Sequence, residues 1–286
     1  MEKSNENNVI LSSNAVVSVC VPVYNGARYL EVCLRSIASQ NLTGLEIVVG
    51  DDSSRDDSLE IARRVSGDYP DVSWNIISHP RNLGMAGNWN ACVRAATGAF
   101  IKIMGQDDLL YPGCLERQTG ILSGSPETAL CACRADIYSA GGRKILRRKR
   151  TFPGGIHEGD ELVTKCIRRA FNFIGEPVTA VFRRLDFDET DGFDGSMSYF
   201  IDLDMWVRLM KGKKFAFVDE SFCGFRVHRG GASFSLQNKG YEEFLRLEKK
   251  VNLGDPVSPV MKVARKLLAT KDAAIRLTAY NILGAV

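Results

Sequence analysis

Short apolar runs alternate with helical repeats of apolar residues over the first hundred residues of the chain. The run AVVSVCVPVY is β-branched and apolar on both faces, which predicts a strand buried on both sides. LEIVVG, VSWNIISH and AFIKIM predict three further strands. Between the runs, apolar residues recur at helical spacing in 29–37, 57–65 and 85–96. This alternation predicts an α/β fold with a mostly parallel sheet and helices on both faces.

Polar clusters follow three of these strands. They are Tyr24 with Asn25, Asp51 with Asp52, and Asp107 with Asp108. The carboxyl ends of parallel strands meet at one edge of a sheet, where α/β proteins bind their ligands. Two adjacent carboxylates repel each other and are usually placed where a positive charge, such as a metal ion, offsets them. The pattern therefore predicts one polar crevice at this edge.

The second half of the chain is less regular. TALCACRADIYS and KFAFVDE predict strands, and IDLDMWVRLMKG predicts an amphipathic helix. Beyond Ser235 the apolar spacing of Phe244, Leu247 and Val251 predicts a helix, and 260–283 is again amphipathic. The predicted organisation is a disordered leader at 1–14, an α/β domain at 15–235 and a helical extension at 236–286.

Composition narrows the class of protein. Hydrophobic residues make up 45% of the chain and charged residues 25%, with a net charge of only +3. These values are typical of soluble globular proteins, and the small net charge gives no indication of nucleic-acid binding. The eight cysteines lie mostly in apolar runs without a C-x-x-C pair, which predicts reduced, buried thiols. The polar N-terminus lacks a signal-peptide core, so a cytoplasmic protein is predicted.

Six motifs in order resemble the family 2 glycosyltransferases. They are VSVCVPVYNGARYLEVCLRSI, LEIVVGDDSSRDDS, RNLGMAGNWNACVRAATGAFI, MGQDDLLYP, YFIDLDMWVRLMKG and FRVHRGGAS, and they span about Val16 to Ser235. The resemblance implies a GT-A (Rossmann-like) fold with a donor half at 15–112 and an acceptor half at 113–235. It implies inverting, single-displacement transfer from a nucleotide-sugar donor, most often a UDP-sugar, to a glycan or lipid-linked acceptor.

The resemblance also assigns roles to individual residues. The implied donor-binding residues are Pro22, Tyr24, Asn25, Asp51, Asp52, Asn82, Gly84, Gln106 and Asp107. A carboxylate can accept the imide N–H of a base or a ribose hydroxyl, which suits the two acids after the second strand. Their alternative role is to cap the following helix, and Asn25-Gly26 alternatively forms an ordinary turn.

The resemblance also implies metal ligands at Asp107 and His228 and a general base at Asp202. Asp107, with His228 as a second ligand, would hold Mn²⁺ or Mg²⁺ against the diphosphate. Asp202 matches the family's general base, whereas Asp204, about 200° away on a helix, cannot face the same crevice. Two positions depart from the family pattern: Gly105 replaces the first acid of Asp-x-Asp, and Ile201 replaces a Glu. Gln106 would then contact ribose or phosphate through its amide.

Several alternatives stay open at this point. The basic segment 143–150 is either a solvated loop or a contact with an anionic membrane surface or lipid-diphosphate acceptor. The two departures leave room for a non-catalytic nucleotide-sugar-binding protein. A nucleotidyltransferase would normally carry a Gly-rich basic loop after the first strand, and a dinucleotide-dependent oxidoreductase would carry G-x-G-x-x-G; PVYNGARYL is neither. The oligomeric state is open, with a homodimer as one alternative.

Overall fold

A single mixed sheet forms the centre of the protein, which was obtained as a computed structural model describing residues 16–147, 152–169, 171–236 and 239–252. The ten strands of the described residues are β1 Val17–Val23, β2 Leu45–Asp51, β3 Ser73–Ser78, β4 Phe100–Ile103, β5 Leu109–Leu110, β6 Thr128–Tyr138, β7 Lys144–Arg147, β8 Gly155–Glu158, β9 Ala180–Arg183 and β10 Lys214–Arg226. Their order is β3-β2-β1-β4-β9-β6-β10-β5, with β7 beside β6 and β8 beside β10.

Nine α-helices of the described residues surround the sheet. They are α1 Ala27–Ala38, α2 Ser58–Asp68, α3 Gly84–Ala95, α4 Cys114–Gly124, α5 Gly159–Arg169, α6 Arg184–Asp188, α7 Ile201–Met210, α8 Ala232–Ser235 and α9 Gly240–Val251. A 3₁₀ turn at Pro177–Thr179 precedes β9. No described helix has the length and apolar character needed to span a bilayer.

The sheet is parallel where the alternating pattern predicts it to be. β3, β2, β1 and β4 run parallel to one another, as do β6 and β10. β9 runs antiparallel between β4 and β6, and it joins the two parallel groups. The predicted α/β fold with a mostly parallel sheet is confirmed.

Two hydrophobic cores lie on opposite faces of the sheet. Along β1, Val19 and Val21 belong to one core and Cys20 belongs to the other, as the period-two geometry of a strand requires. The core that contains Val19 and Val21 is covered by α1, α2 and α4. The second core, which contains Cys20, is covered by α3, α5, α7 and α9. The predicted placement of helices on both faces is confirmed.

The cysteines behave as the sequence predicts. All eight are unpaired and buried, and all eight lie in the two cores. Burial raises the pKa of Cys20 and Cys166 above the ordinary value, Cys166 to about 12. These thiols therefore pack as small apolar groups.

Part of the basic segment is a strand. β7 pairs antiparallel with the end of β6, and Lys144 and Arg147 lie on either side of the buried Asp136 carboxylate. Lys144–Arg147 is therefore a strand and not a loop, although it remains largely solvent-exposed, as the solvated-loop alternative expected. Residues 148–150 lie outside the described residues.

The predicted helix beyond Ser235 is α9. Phe244 and Leu247 are buried in the same core as α7. The buried Glu243 carboxylate accepts hydrogen bonds from the backbone N–H groups of Tyr199 and Phe200 at the start of α7, at 2.7 and 3.1 Å. The helix is thus attached to the α/β domain through a helix N-terminus. The leader 1–14 and the predicted helix 260–283 lie outside the described residues.

Candidate active site

The polar clusters after β1, β2 and β4 lie at one edge of the sheet. The three strands are parallel, with Val23 opposite Asp51 and Cys20 opposite Ile103. Hydrogen bonds join the loops that follow: the Asp52 N–H donates to the Val23 carbonyl at 2.8 Å, and the Tyr24 N–H donates to Gln106 Oε1 at 3.0 Å. The topology therefore brings together polar groups that are more than eighty residues apart in sequence.

Asp52 organises the loop before α3. Its Oδ1 accepts from the Leu83 N–H at 2.6 Å, and its Oδ2 accepts from the Gly84 N–H at 3.0 Å. Asn82 Nδ2 donates to the Asp52 carbonyl, and Gly84 has φ +74°, a conformation that favours glycine. Asp52 thus binds the N-terminus of α3. The capping alternative expected it to bind the N-terminus of α2 instead.

Asp51 is the less satisfied of the two acids. Its side chain is buried, and its Oδ2 accepts from the Ser54 N–H at 3.3 Å. Its Oδ1 is buried without a hydrogen-bond partner among the described groups. A buried, unsatisfied carboxylate oxygen is costly unless a ligand supplies a donor. This is the one predicted base-contacting acid with a free acceptor in the structure.

The loop after β1 is held from two sides. Asn25 has φ 49°, its N–H donates to Ser54 Oγ, and its side-chain oxygen accepts from the Arg55 N–H. Gln106 Oε1 and Nε2 both bind the backbone of Tyr24, a residue that is 47% exposed. The Tyr24 ring is therefore open to a ligand at the crevice, beside the half-buried Pro22. The Gln106 amide is already paired in this structure.

Asp107 and His228 meet across the edge. His228 Nε2 lies 2.6 Å from Asp107 Oδ2, and the imidazole packs on the Tyr29 ring with centroids 4.8 Å apart. Arg226 is mostly buried; its Nε donates to the Asp107 carbonyl at 2.9 Å, and its guanidinium lies 4.7 Å from the Tyr29 ring centre. The second half of the chain thus folds back over the strand ends, as the motif after β10 requires.

Asp108 is buried and hydrogen-bonded to the end of β10. Its Oδ1 accepts from the Arg226 N–H at 3.1 Å, and the side chain is buried. Burial raises the pKa of Asp108 well above its usual range, and the adjacent Asp107 raises it further. Both acids line the cavity, but they differ in exposure and contacts: 21% of the Asp107 side chain is exposed, whereas Asp108 is buried and joins the strand end to β10.

Asp202 and Asp204 have separate environments on α7. Asp202 lines the cavity beside Asp107 and His228, and its Oδ2 accepts a hydrogen bond from Asn172 Nδ2 at 3.1 Å. Asp204 is 1% exposed and binds Arg208 at 2.7 Å and Lys250 at 3.0 Å. The prediction that only one of the two acids can face the crevice agrees with this placement.

One cavity connects Asp107, Asp202 and His228, whereas Asp51, Asp52 and the loop after β1 are not among its described lining. It encloses about 150 Å³ at the junction of the two halves of the chain. Besides Gly105, Asp107, Asp108, Asp202, Arg226 and His228, its described lining includes Met85, Trp89, Glu176, Pro177, Ser198, Tyr199, Ile201, Phe225, Gly231, Ala232 and Leu236. Most of this second set is apolar, so the carboxylates lie at the end of an apolar pocket.

Sequence reasoning missed two groups of residues at the site. Met85 and Trp89 follow helical spacing and read as core, yet they also line the cavity. Glu176, which lines the cavity, and Asn172, which donates to Asp202, lie in NFIGEP, a loop between α5 and the 3₁₀ turn before β9. The signal available in the sequence was an acid directly after Gly175. In the structure Gly175 has a φ of 123°, a conformation that favours glycine. Only the fold shows that this loop reaches the strand ends.

Asp107 and His228 offer a donor set that fits Mn²⁺ or Mg²⁺. One carboxylate and one imidazole face the cavity, and among the described residues no group of three or more His, Cys, Asp or Glu side chains is arranged to hold a metal. An ion held here would take its other ligands from phosphate and water, as Mg²⁺ usually does beside nucleotides. The residues therefore fit a substrate-bridged ion and not a closed protein cage.

The space around Gly105 explains why the first acid of the Asp-x-Asp pattern is absent from this chain. A Cβ at this position would lie 2.8 Å from Asp107 Oδ1 and 2.9 Å from Asp108 Oδ2. Real Cβ atoms do not come so close, so a side chain here would displace both carboxylates. In this chain the space of the first acid is occupied by the carboxylates of its neighbours.

The chain is similar to several known proteins. It is 31% identical over 213 residues to the uncharacterized protein MT1568 of Mycobacterium tuberculosis, a match that covers 71% of this chain and 64% of that protein. It is 28% identical over 219 residues to a chondroitin synthase of Escherichia coli, covering 75% of this chain and 29% of that protein. The chain thus spans less than two thirds of the length of these relatives.

Solved structures share the fold. TarS 1-349 from S. aureus, in complex with UDP-GlcNAc, superposes with a TM-score of 0.67 at 19% identity, over 86% of this chain and 69% of that one. The mannosyltransferase PcManGT from Pyrobaculum calidifontis, in complex with GDP-Man and Mn2+, gives a TM-score of 0.63 at 20% identity, over 94% and 74%. The predicted GT-A fold is thereby confirmed.

The family model described as Glycosyl transferase family 2 matches residues 18–191, which is more than half of the chain. The match begins in β1 and ends just after α6, so it includes the strand ends that carry Asp51, Asp52 and Asp107. The chain therefore belongs to glycosyl transferase family 2.

Proposed function

We propose that the protein transfers a sugar from a nucleotide-sugar donor, with a UDP-sugar as the expected donor, to a glycan or lipid-linked acceptor. The observation that carries the proposal is the placement of Asp107, His228 and Asp202 around one cavity at the carboxyl edge of the sheet. The reaction is an inverting, single displacement: the acceptor oxygen bonds to the anomeric carbon as the bond to the diphosphate breaks. Related folds bind UDP-GlcNAc and GDP-Man, which supports a nucleotide-sugar donor.

The donor would lie along the strand ends. The free Asp51 Oδ1 accepts an N–H of the base or a ribose hydroxyl, and the exposed Tyr24 ring packs on the base. Asp52, Asn82 and Gly84 form the wall of the base site, because Asp52 fixes the loop before α3. Gln106 contacts ribose or phosphate only when its two hydrogen bonds to Tyr24 open.

The diphosphate would lie at Asp107. A Mn²⁺ or Mg²⁺ ion bound there supplies Lewis-acid neutralisation of the leaving diphosphate. Asp107 and His228 hold and orient that group, and the Tyr29 ring and Arg226 fix the positions of the two ligands. The apolar wall of the cavity excludes water, which limits hydrolysis of the donor.

Asp202 would act as the general base. It lines the same cavity as Asp107, and Asn172 holds its carboxylate with an N–H donor. Asp202 Oδ accepts the proton of the acceptor hydroxyl as that oxygen attacks the anomeric carbon. Attack from the Asp202 side, opposite the diphosphate at Asp107, inverts the configuration at that carbon.

A non-catalytic nucleotide-sugar-binding protein is the second candidate. Gly105 favours it, because the acid usual at that place is absent and the space is filled by Asp107 and Asp108. Membership in glycosyl transferase family 2 speaks against a nucleotidyltransferase. We further propose that the protein is cytoplasmic and that its basic segment 143–150 contacts an anionic membrane surface, with a homodimer as one alternative for its oligomeric state.

A donor screen with and without metal tests this function. Thermal shift with UDP- and GDP-sugars, in Mn²⁺ and then in EDTA, identifies the donor because a ligand of the folded state raises its stability. Release of free sugar from the stabilising donor is then measured. Metal-dependent binding with hydrolysis supports the transferase, and binding without any turnover in the presence of candidate acceptors supports the binder. No stabilisation by any donor contradicts both.

A further inference from the structure

One face of α9 holds residues 194–200, the entry segment that leads into α7. Lys250, near the end of α9, forms an ion pair with Asp194 at the start of the entry segment. One turn earlier on α9, Arg246 Nη1 donates to the Ser196 carbonyl at 3.0 Å. Later residues of the helix therefore bind earlier residues of the entry segment, and the two run antiparallel along these contacts.

The buried Glu243 carboxylate holds the end of the entry segment. It lies three residues before Arg246, which places it on the same face of α9. Its Oε1 accepts from Ser198 Oγ at 2.8 Å, and its Oε2 accepts from the N–H groups of Tyr199 and Phe200 at 2.7 and 3.1 Å. Glu243 is 1% exposed, so these protein donors replace the water that the carboxylate loses on burial. Three charge-assisted hydrogen bonds to consecutive residues fix the local backbone.

The residues held in this way form part of the cavity wall. Ser198 and Tyr199 line the cavity, and so does Asp202, the second residue of α7. The Tyr199 ring also lies against Gly240, the first residue of α9, where an added Cβ would be 3.2 Å from two ring carbons. α9 therefore supports this wall, although none of the described lining residues belongs to α9 itself.

The position of Asp202 depends on the same entry segment. The first turn of α7 closes where the Asp204 N–H donates to the Phe200 carbonyl at 2.8 Å. Phe200 occupies the N-cap position of α7, and its apolar side chain cannot accept a hydrogen bond there. The acceptor that holds the start of α7 comes instead from Glu243, more than forty residues later in the chain.

We propose that Glu243 is a positioning residue for sugar transfer, which fixes the wall at Ser198 and Tyr199 and the start of α7, and through them the place of Asp202. The inference rests on the proposed function, in which Asp202 is the general base. The donor site is built by the ends of β1, β2 and β4, so Glu243 should govern the transfer step and not nucleotide binding. A base that is displaced by an ångström loses much of its effect even when the donor still binds.

Substitutions at Glu243 in the full chain test the proposal. Glu243→Met keeps the length of the side chain and removes both acceptors, so turnover per folded molecule should fall by about tenfold or more. Turnover is measured as sugar released or transferred from the donor that the screen selects, and the folded fraction by urea unfolding. Calorimetry with Mn²⁺ should show unchanged affinity for the free nucleotide diphosphate. Glu242→Met, at the exposed neighbouring position, is the matched control and should change neither quantity.

The conservative variant should restore the rate. Glu243→Gln keeps an amide oxygen for the two backbone N–H groups and offers an amide N–H to the Ser198 hydroxyl. We expect turnover in Glu243→Gln to lie within about threefold of wild type. A Glu243→Gln variant as slow as Glu243→Met would contradict positioning by these hydrogen bonds.

A variant of Gly240 separates positioning from stability. Alanine is a better helix former than glycine, so Gly240→Ala should keep the thermal stability. Its methyl group displaces the Tyr199 ring by a few tenths of an ångström, and turnover should fall by about threefold. Gly67→Ala on α2, whose Cβ would meet no atom within 4 Å, should leave turnover unchanged. If Glu243→Met does not fold, Gly240→Ala decides the question alone.

The outcomes distinguish this inference from the proposed function. Unchanged turnover per folded molecule in Glu243→Met and Gly240→Ala overturns the positioning role, and the transferase proposal stands. Parallel loss of nucleotide affinity and turnover in Glu243→Met indicates a general structural role and also overturns it. If wild type binds no nucleotide, or turns over no donor, the proposed transferase fails and this inference fails with it.

Discussion

Asp202 and Asp204 differ by two positions on α7 and have different environments. Asp202 faces the cavity with a hydrogen bond from Asn172, whereas Asp204 is buried against Arg208 and Lys250. A helix turns 100° per residue, so side chains two apart cannot serve the same pocket. The first acid lines the cavity, and the second joins α7 to α9.

Conservative substitutions should therefore separate chemistry from stability. We predict that Asp202→Asn lowers the transfer rate by about 10²-fold or more while donor affinity changes little, because it removes a positioned base and keeps the shape. Asp204→Asn should lower the free energy of unfolding by about 1–3 kcal/mol and retain the rate per folded molecule. Initial rates, calorimetry and urea unfolding measure the three quantities. A full loss of turnover in Asp204→Asn with none in Asp202→Asn would reverse the assignment.

Gly105 should tolerate no side chain. Gly105→Ala places a Cβ within 3 Å of Asp107 and Asp108 oxygens and displaces both carboxylates. We predict that metal-dependent nucleotide binding weakens by about tenfold, since loss of orientation at a metal site costs 10–100-fold in affinity. Gly67→Ala is the matched control, because its Cβ would meet no atom within 4 Å. Unchanged binding in Gly105→Ala would show that the position of Asp107 does not depend on this glycine.

At the scale of elements, an ion-pair cluster attaches α9 to the domain. The Lys250 ammonium binds Asp194 and Asp204, and it holds the pKa of Asp194 at about 2. Both Lys250 and Asp194 are about a third or more exposed, so the stabilisation is modest. Glu243 adds hydrogen bonds to the start of α7. α9, the described helix of the predicted extension, is thus part of the core that contains α7.

This cluster makes the docking of α9 dependent on pH. The pKa of Asp194 is lower in the folded than in the unfolded chain, so its contribution is complete above about pH 4 and is lost as the pH falls toward about 2. We predict that Lys250→Met lowers the free energy of unfolding by about 1 kcal/mol at pH 7, and that the difference from wild type shrinks below pH 4. Urea unfolding at pH 7, 5, 4 and 3 measures it.

Lys249→Met is the control for that measurement, because Lys249 is the exposed neighbour on the same helix. It should cost little at any pH. A difference between Lys250→Met and wild type that stays constant from pH 7 to pH 3 would show that packing, and not the ion pair, holds α9.

Elements were predictable where local periodicity and burial agree. β1, β2 and α1 follow directly from their apolar patterns, because each buries one or both faces against neighbours close in sequence. β4 carries the buried Lys102, whose ammonium donates to Gln118 and to the Ala180 carbonyl. Those partners come from α4 and β9, so no local pattern in the sequence indicates that a lysine is tolerated there.

At the scale of the whole molecule, strand order determines which residues meet. The predicted convergence of the clusters after β1, β2 and β4 agrees with the structure because parallel strands end at one edge. The contact between Asp107 and His228 depends on how β10 pairs with β6 and β5. A motif resemblance suggested that contact, but Glu176 and Asn172 lie in a loop without a motif and could not be placed from the sequence.

The claim that this edge binds a nucleotide diphosphate through Asp107 is tested most directly by one calorimetric titration. The nucleotide diphosphate selected by the donor screen is titrated into wild type and Asp107→Ala, with Mn²⁺ and with EDTA. Asp71→Ala is the control, since Asp71 is exposed just before β3, at the opposite edge of the sheet. We predict that Mn²⁺ strengthens binding by about tenfold or more in wild type and Asp71→Ala, and has no effect in Asp107→Ala. Equal binding with Mn²⁺ and with EDTA in wild type, or metal-dependent binding retained in Asp107→Ala, would contradict the account.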